Sequence, residues 1–127
     1  MTAWKLQKLV YYSQAWSLVW DERPLFPEPI EAWANGPVCP NLYQKHRGSF
    51  MVHHIPGGDA RKLDQAARDT VDAVLSGYGD KDSQWLSDLT HREPPWREVR
   101  RAAGLRDGVR GSAEITHGAM ADYYGSL

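Results

Sequence analysis

The single cysteine and the five histidines are the side chains of this sequence that are best suited to nucleophilic or metal chemistry. Cys39 could act as a nucleophile if a histidine lay beside it to accept its proton. Its neighbours, Val38 and Pro40, supply neither a charge nor the glycine-rich backbone donors of an oxyanion hole. Because a free cysteine usually behaves as a small hydrophobic residue, the sequence favours a buried structural thiol.

The histidines offer a second kind of chemistry, a metal site that could also include Cys39. His53 and His54 are adjacent, and adjacent side chains of an extended chain point to opposite faces. Their spacing from His46 and His91 matches no zinc motif. The sequence also contains no glycine-rich phosphate-binding motif. We therefore predict no catalytic residue, no cofactor and no bound metal, and a small Cys/His hydrolase stays open as the alternative.

Basic residues cluster once, among the arginines between positions 97 and 110. Acidic residues are interleaved with them, and the net charge of the chain is only −1, which argues against nucleic acid as a partner. The cluster can be a solvated helix end or a docking surface for an acidic protein. The candidate partner contacts are Arg100, Arg101, Arg106 and Arg110, together with the aromatic residues Tyr11 and Phe26.

Composition limits the setting in which the protein works. A single cysteine cannot form an intrachain disulfide. No apolar stretch reaches the roughly 20 residues that span a bilayer, and the N-terminus lacks the layout of a secretory signal. These features predict a cytoplasmic protein without a membrane partner. The six tryptophans and six tyrosines predict either a stiff core or anchors of a protein interface.

The elements that must position these side chains are predicted to be mainly α-helical. From Thr2 to Trp20 there is no glycine or proline, and apolar residues occupy nearly the whole helical wheel, which is typical of a central helix. We predict a single compact helical domain over residues 1–127 around this N-terminal helix, with at most a minor short β element. The other predicted helices cover 29–33, 40–45, 59–78 with Asp59 as N-cap, 82–90, 94–103, and a last helix capped by Ser112. Proline-rich 21–29 and glycine-rich 104–111 are predicted to be surface connections.

Short motifs follow one another in a recognisable order along nearly the whole chain. The N-terminal helix carries KLQKLVYYSQAW at 5–16, followed by PLF at 24–26, EPIEAW at 28–33 and GPV at 36–38. The C-terminal half carries LSDLTH at 86–91 and PPW at 94–96, then Arg100, Ile115 and Tyr123-Tyr124. This ordered set resembles the Panacea domain, the SocA-like, phage-associated family of bacterial antitoxins.

The resemblance implies a helical protein that binds and neutralises a toxin encoded by an adjacent gene, without catalysis. One similar protein delivers its toxin to an ATP-dependent protease, so an adaptor role is the alternative mechanism. Family members usually carry an additional N-terminal stretch, which we expect to be absent here. Partner contacts are expected at the N-terminal helix and at the two surface connections. The motif residues that we expect to be structural are Trp16, Trp33, Gly36, Pro37, Tyr43, His91, Pro95 and Trp96.

Overall fold

A computed structural model describes residues 1–53, 55, 58 and 60–127 of the chain. Six helices and a small three-stranded sheet make up this part, which confirms the predicted mainly helical fold. None of the described helices is long and apolar enough to cross a membrane. The elements are α1 (Ala3–Trp20), β1 (Ile30–Trp33), β2 (Gly36–Val38), α2 (Pro40–His46), a 3-10 turn (Ala60–Lys62), α3 (Gln65–Tyr78), α4 (Ser83–Arg92), α5 (Pro94–Ala102), β3 (Glu114–Ile115) and α6 (His117–Tyr124).

Helix α1 lies at the centre of the fold, as its apolar pattern predicts. The Thr2 side chain caps the helix by accepting a hydrogen bond from the Lys5 backbone N–H at 3.1 Å. Helices α2, α3, α4 and α6 pack against α1 together with β2. Because neighbours lie on several sides, the only exposed side chains of α1 are Trp4 and Trp20, one near each end.

The segment after the proline-rich connection forms strand β1, so the predicted short helix at 29–33 is wrong. β1 pairs antiparallel with β2 across a two-residue turn, with Trp33 opposite Gly36. On its other side β1 pairs antiparallel with β3. Ile30 and Ala32 are buried and alternate with half-buried residues, as expected of a strand with one covered face. A proline before a short apolar run is compatible with either element, and the distant partner strand β3 decides between them.

Local capping residues set the starts of the later helices. Asp82, at the start of the helix predicted over 82–90, caps α4 by accepting a hydrogen bond from the Trp85 backbone N–H at 2.8 Å. Helix α3 begins after Asp64, whose side chain caps it, rather than at position 59. The predicted N-cap Asp59 lies outside the described residues. The last helix is capped by Thr116 rather than Ser112, because the preceding residues Glu114–Ile115 form β3.

Candidate partner-binding surface

Two buried glutamines of α1 hold the segments that follow the helix. Gln14 Nε2 donates a hydrogen bond to the Phe26 carbonyl at 2.9 Å, and its Oε1 accepts one from the Phe26 N–H at 3.3 Å. Gln7 Oε1 accepts a hydrogen bond from the Cys39 N–H at 2.9 Å. Each amide replaces the backbone partner that an irregular segment lacks. Sequence reasoning did not single out either glutamine, and their place on a helix with apolar residues nearly all round it was the available signal.

A buried carboxylate joins α5 to α1 and α6. Glu93 accepts hydrogen bonds from the hydroxyls of Tyr12 at 2.5 Å and Tyr124 at 2.9 Å. The Tyr11 hydroxyl lies 3.0 Å from that of Tyr124. Burial raises the pKa of Glu93, and the two tyrosine hydrogen bonds oppose that rise. Because Tyr11 is only 1% exposed, the expectation that it contacts a partner is corrected.

Arg100 is also a buried residue rather than part of a docking surface. Its guanidinium donates hydrogen bonds to the carbonyls of Ala32, Arg106 and Val109, and it stacks 5.2 Å from the centre of the Trp96 ring. It therefore ties the 104–111 segment to β1. An arginine that donates to several carbonyls can be buried at low free-energy cost, which corrects its assignment as a partner contact. Among the other candidate contacts, Arg101, Arg106 and Arg110 are exposed.

Of the three motif tryptophans, Trp96 is buried, whereas Trp16 and Trp33 are half-buried. Trp96 is 4% exposed, and its indole N–H donates to the Trp33 carbonyl at 2.9 Å. The Trp16 indole N–H donates to the Tyr78 hydroxyl at 3.1 Å. Of the other motif residues that we expected to be structural, Gly36, Pro37 and Pro95 are buried, whereas Trp33, Tyr43 and His91 are only half-buried.

The half-buried aromatic residues line a groove at the N-terminal end of α1. The Trp33 and Tyr43 rings meet edge to face with centroids 5.1 Å apart, and Trp4 stacks beside Tyr43 at 6.5 Å. These rings line a cavity of about 540 Å³ together with other residues that include Glu31, Asn35 and Arg110. We call this cavity the aromatic groove. Large aromatic side chains at a partly exposed site are typical anchors of protein interfaces.

A second cavity, of about 370 Å³, shares Trp4 and Asn35 with the aromatic groove. It is lined mainly by polar side chains of α1 and α4, among them Lys8, Asp88 and His91. We call this cavity the Lys8 cleft. Burial lowers the pKa of Lys8 to about 8. Burial also lowers the pKa of His91, with a smaller contribution from the positive charge of Lys8.

Apolar side chains continue the surface beyond the groove. Thr2 forms an isolated β-bridge with Met51, and the Ala3 backbone N–H donates to the Phe50 carbonyl at 2.9 Å. Met1, Phe50 and Met51 are each at least 45% exposed. The pairing of residues 50–52 with the start of the chain also includes a hydrogen bond from the Val52 backbone N–H to the Met1 carbonyl at 2.9 Å. It leaves an apolar rim of Met1, Phe50 and Met51 next to the start of α1.

Cys39 lies in a different environment from the histidines that the structure describes. Burial raises the pKa of the Cys39 thiol, which favours its unreactive protonated form. Cys39 lines an apolar cavity with Phe26, and no described histidine lines it. His46 is buried, and its Nε2 lies 2.8 Å from the Gln7 amide nitrogen. Phe26, a candidate partner contact, is half-buried against the core beside this cavity.

The structure also bears on the predicted histidine pair. His53 is exposed, and His54 lies outside the described residues. Within the described residues, no group of three or more histidine, cysteine, aspartate or glutamate side chains is placed to hold a metal ion.

Fold and surface together define a small, mainly helical domain with an aromatic groove and a polar cleft beside it. The chain belongs to the SocA-like antitoxin family, because residues 6–97 match the family described as antitoxin SocA-like, Panacea domain. The match begins in α1 and reaches α5, so it includes Lys8 and the α4 residues of the Lys8 cleft but not Trp4. No curated protein and no solved structure matches the chain significantly.

Proposed function

We propose that this protein is a cytoplasmic antitoxin that neutralises a protein toxin, encoded by an adjacent gene, through direct binding and without chemistry of its own. Membership of the SocA-like antitoxin family is the observation that carries the proposal. The buried, protonated Cys39 thiol supports a role without nucleophilic catalysis.

The aromatic groove and its apolar rim are the surface that we assign to the toxin. Trp4, Trp33 and Tyr43 offer large rigid rings that lose little conformational entropy on binding. The rim residues Met1 and Phe50 extend the apolar area beside them. A partner that covers this surface would bury a compact aromatic centre, which is where most of the binding free energy of an interface resides.

The exposed arginines are assigned a secondary part at the edge of this surface. Arg110 lines the aromatic groove, and Arg101 and Arg106 are exposed on the same C-terminal stretch of α5 and the following loop. Charges at the edge of an interface mainly increase the association rate and the specificity. These arginines would therefore increase the association rate with an acidic surface of the toxin, and they would contribute little to the affinity.

Co-expression with the product of the neighbouring gene tests the proposal. The neighbouring protein alone should stop growth, and the antitoxin should restore growth and co-purify with it in a fixed ratio. Growth arrest that persists despite a folded antitoxin, or rescue without complex formation, would contradict the proposal.

Two matched tryptophan variants test the position of the binding surface. Trp4 and Trp85 are 36% and 42% exposed, and each has a lysine ammonium over its ring, Lys8 at 5.4 Å and Lys81 at 5.0 Å. Trp4→Ser should abolish rescue and co-purification, whereas Trp85→Ser should preserve both. Equal effects of the two substitutions would place the interface elsewhere.

The adaptor mechanism gives a different result in the same experiment. Delivery of the toxin to an ATP-dependent protease would lower the toxin level when the antitoxin is present, and the level would recover in a protease-deficient strain. We expect an unchanged toxin level on an immunoblot, because occlusion by binding leaves the toxin intact.

A further inference from the structure

Lys8 is buried in a way that leaves its charge without an anionic partner. The residue is 1% exposed and lies in the wall of the Lys8 cleft. Within the part of the chain that the structure describes, no hydrogen-bond acceptor contacts its ammonium group. Its described interaction there is with the face of the Trp4 ring at 5.4 Å. Lysines are almost never fully buried unless they are paired, so this ammonium has unused capacity for a ligand.

His91, which also lines the cleft, carries a second polar atom without a hydrogen-bond partner among the described residues. Its Nε2 is buried and has no hydrogen-bond partner among the described residues. The ring packs against Trp96 with centroids 4.1 Å apart, which holds its position. An unsatisfied buried polar atom in a native fold is uncommon and points to a missing partner.

Three other polar side chains of the cleft, Gln84, Ser87 and Asp88, already have partners. Ser87 Oγ donates to the Asn35 carbonyl at 2.9 Å. Asp88, which is exposed, accepts a hydrogen bond from Gln84 Nε2 at 2.9 Å. Among the described residues of the cleft, the Lys8 ammonium and the His91 imidazole nitrogen are buried and have no hydrogen-bond partner, and a carboxylate has two oxygens that can accept from both.

We propose that the Lys8 cleft binds the side-chain carboxylate of an acidic residue of a partner protein. One oxygen accepts from Lys8 Nζ, and the other accepts from His91 Nε2 in the tautomer that carries its proton there. The cleft shares Trp4 and Asn35 with the aromatic groove, so one segment can fill both cavities. The part of this proposal that rests on the proposed antitoxin function is that the carboxylate belongs to a partner protein. The chemistry of the cleft stands independently of that function.

An NMR titration of the full chain with small probes tests the chemistry without the toxin. N-acetyl-glutamate N-methylamide, at constant ionic strength, should cause saturable shifts of the Lys8 Cε and His91 Cε1 resonances. The corresponding glutamine compound should bind at least about tenfold more weakly, because it lacks the charge. Equal binding of the two compounds, or no shift with either, would overturn the proposal. Shifts with acetate but not with the blocked glutamate would overturn the assignment to a protein side chain.

Two lysine variants provide the matched control. Lys8→Met should remove the shift of the His91 Cε1 resonance, and Lys81→Met should keep it, because Lys81 lies over the exposed Trp85 ring outside the cleft. Retained binding in Lys8→Met would refute the assignment. A ¹H–¹⁵N spectrum checks that each variant is folded.

A measurement on the unmodified protein keeps the test decisive if Lys8→Met does not fold. The titratable groups facing Lys8 are His91 and Asp88, and Asp107 and Arg100 also act on His91. A bound carboxylate should raise the pKa of Lys8 from its value of about 8, and the glutamine compound should leave it unchanged. An unchanged pKa at saturation would overturn the proposal. Since no toxin is used, failure of rescue in co-expression cannot be mistaken for failure of this test.

Discussion

A Cβ atom at position 36 would lie 2.5 Å from Lys8 Cε, so Gly36 leaves open the space that the Lys8 side chain fills. Gly36 also has a φ of +129°, which side-chain-bearing residues rarely adopt. The hairpin between β1 and β2 and the buried lysine of α1 therefore depend on each other.

Gly36→Ala should destabilise the protein by about 2 kcal/mol or more, from steric overlap with Lys8 together with backbone strain. Urea denaturation measures this free energy. Gly77→Ala is the control, because Gly77 lies in α3 and a Cβ there meets no atom within 4 Å. The control should be neutral or more stable by about 0.5–1 kcal/mol. A Gly36→Ala protein as stable as the parent would contradict the packing described.

Lys8→Met should make the protein more stable at pH 7, although it removes the proposed ligand-binding group. The folded-state pKa of about 8 lies below the ordinary value of 10.5, so the lysine destabilises the fold when it is protonated. That difference corresponds to about 3 kcal/mol below pH 8 and disappears as the pH rises to 10.5. Denaturation of both proteins between pH 7 and 10.5 should show that the difference in their free energies of unfolding decreases as the pH rises. A less stable variant at pH 7 would instead give Lys8 a structural role.

Glu93→Gln should change how stability depends on pH. Burial raises the pKa of Glu93 above its ordinary value of 4.5, so its contribution to stability is full below pH 4.5 and is lost as the pH rises through the raised pKa. The glutamine variant, whose oxygen can still accept from Tyr12, should lack this loss. Thermal melts of both proteins between pH 4 and 8 give the comparison. Parallel pH profiles would show that Glu93 titrates normally.

Arg100→Met should destabilise the protein by about 3 kcal/mol and release the 104–111 segment, because three carbonyls lose a charged donor. Denaturant unfolding and limited proteolysis of that segment measure the two effects. Arg101→Met is the control, since the Arg101 side chain is 70% exposed, and it should change stability little. Similar losses in both variants would argue against the specific role of Arg100.

Cys39→Ala should preserve rescue in the co-expression assay, because the buried thiol is assigned no chemistry. A modest loss of stability is expected from the small cavity that the substitution leaves. A folded variant that still binds the toxin but no longer rescues growth would favour the Cys/His hydrolase.

Elements with local signals could be predicted from the amino-acid sequence alone. The stretch from Thr2 to Trp20, which contains no glycine or proline, predicted α1 without any knowledge of distant residues. Pro94 and Pro95 likewise marked the start of α5. The ordered motifs also identified the family, since a motif order is a property of the chain.

Only the tertiary structure decided where the polar residues lie and which short segments pair. Residues 29–33 have a local pattern compatible with either element, and pairing with β3 from the other end of the chain makes them a strand. Arg100 looked like its solvated neighbours, but its place depends on carbonyls that only the fold brings within reach. Lys5 and Lys8 lie on different sides of α1, and the β1–β2 hairpin and α4 bury Lys8. Burial is a property of the surroundings of a side chain, and a local pattern does not contain those surroundings.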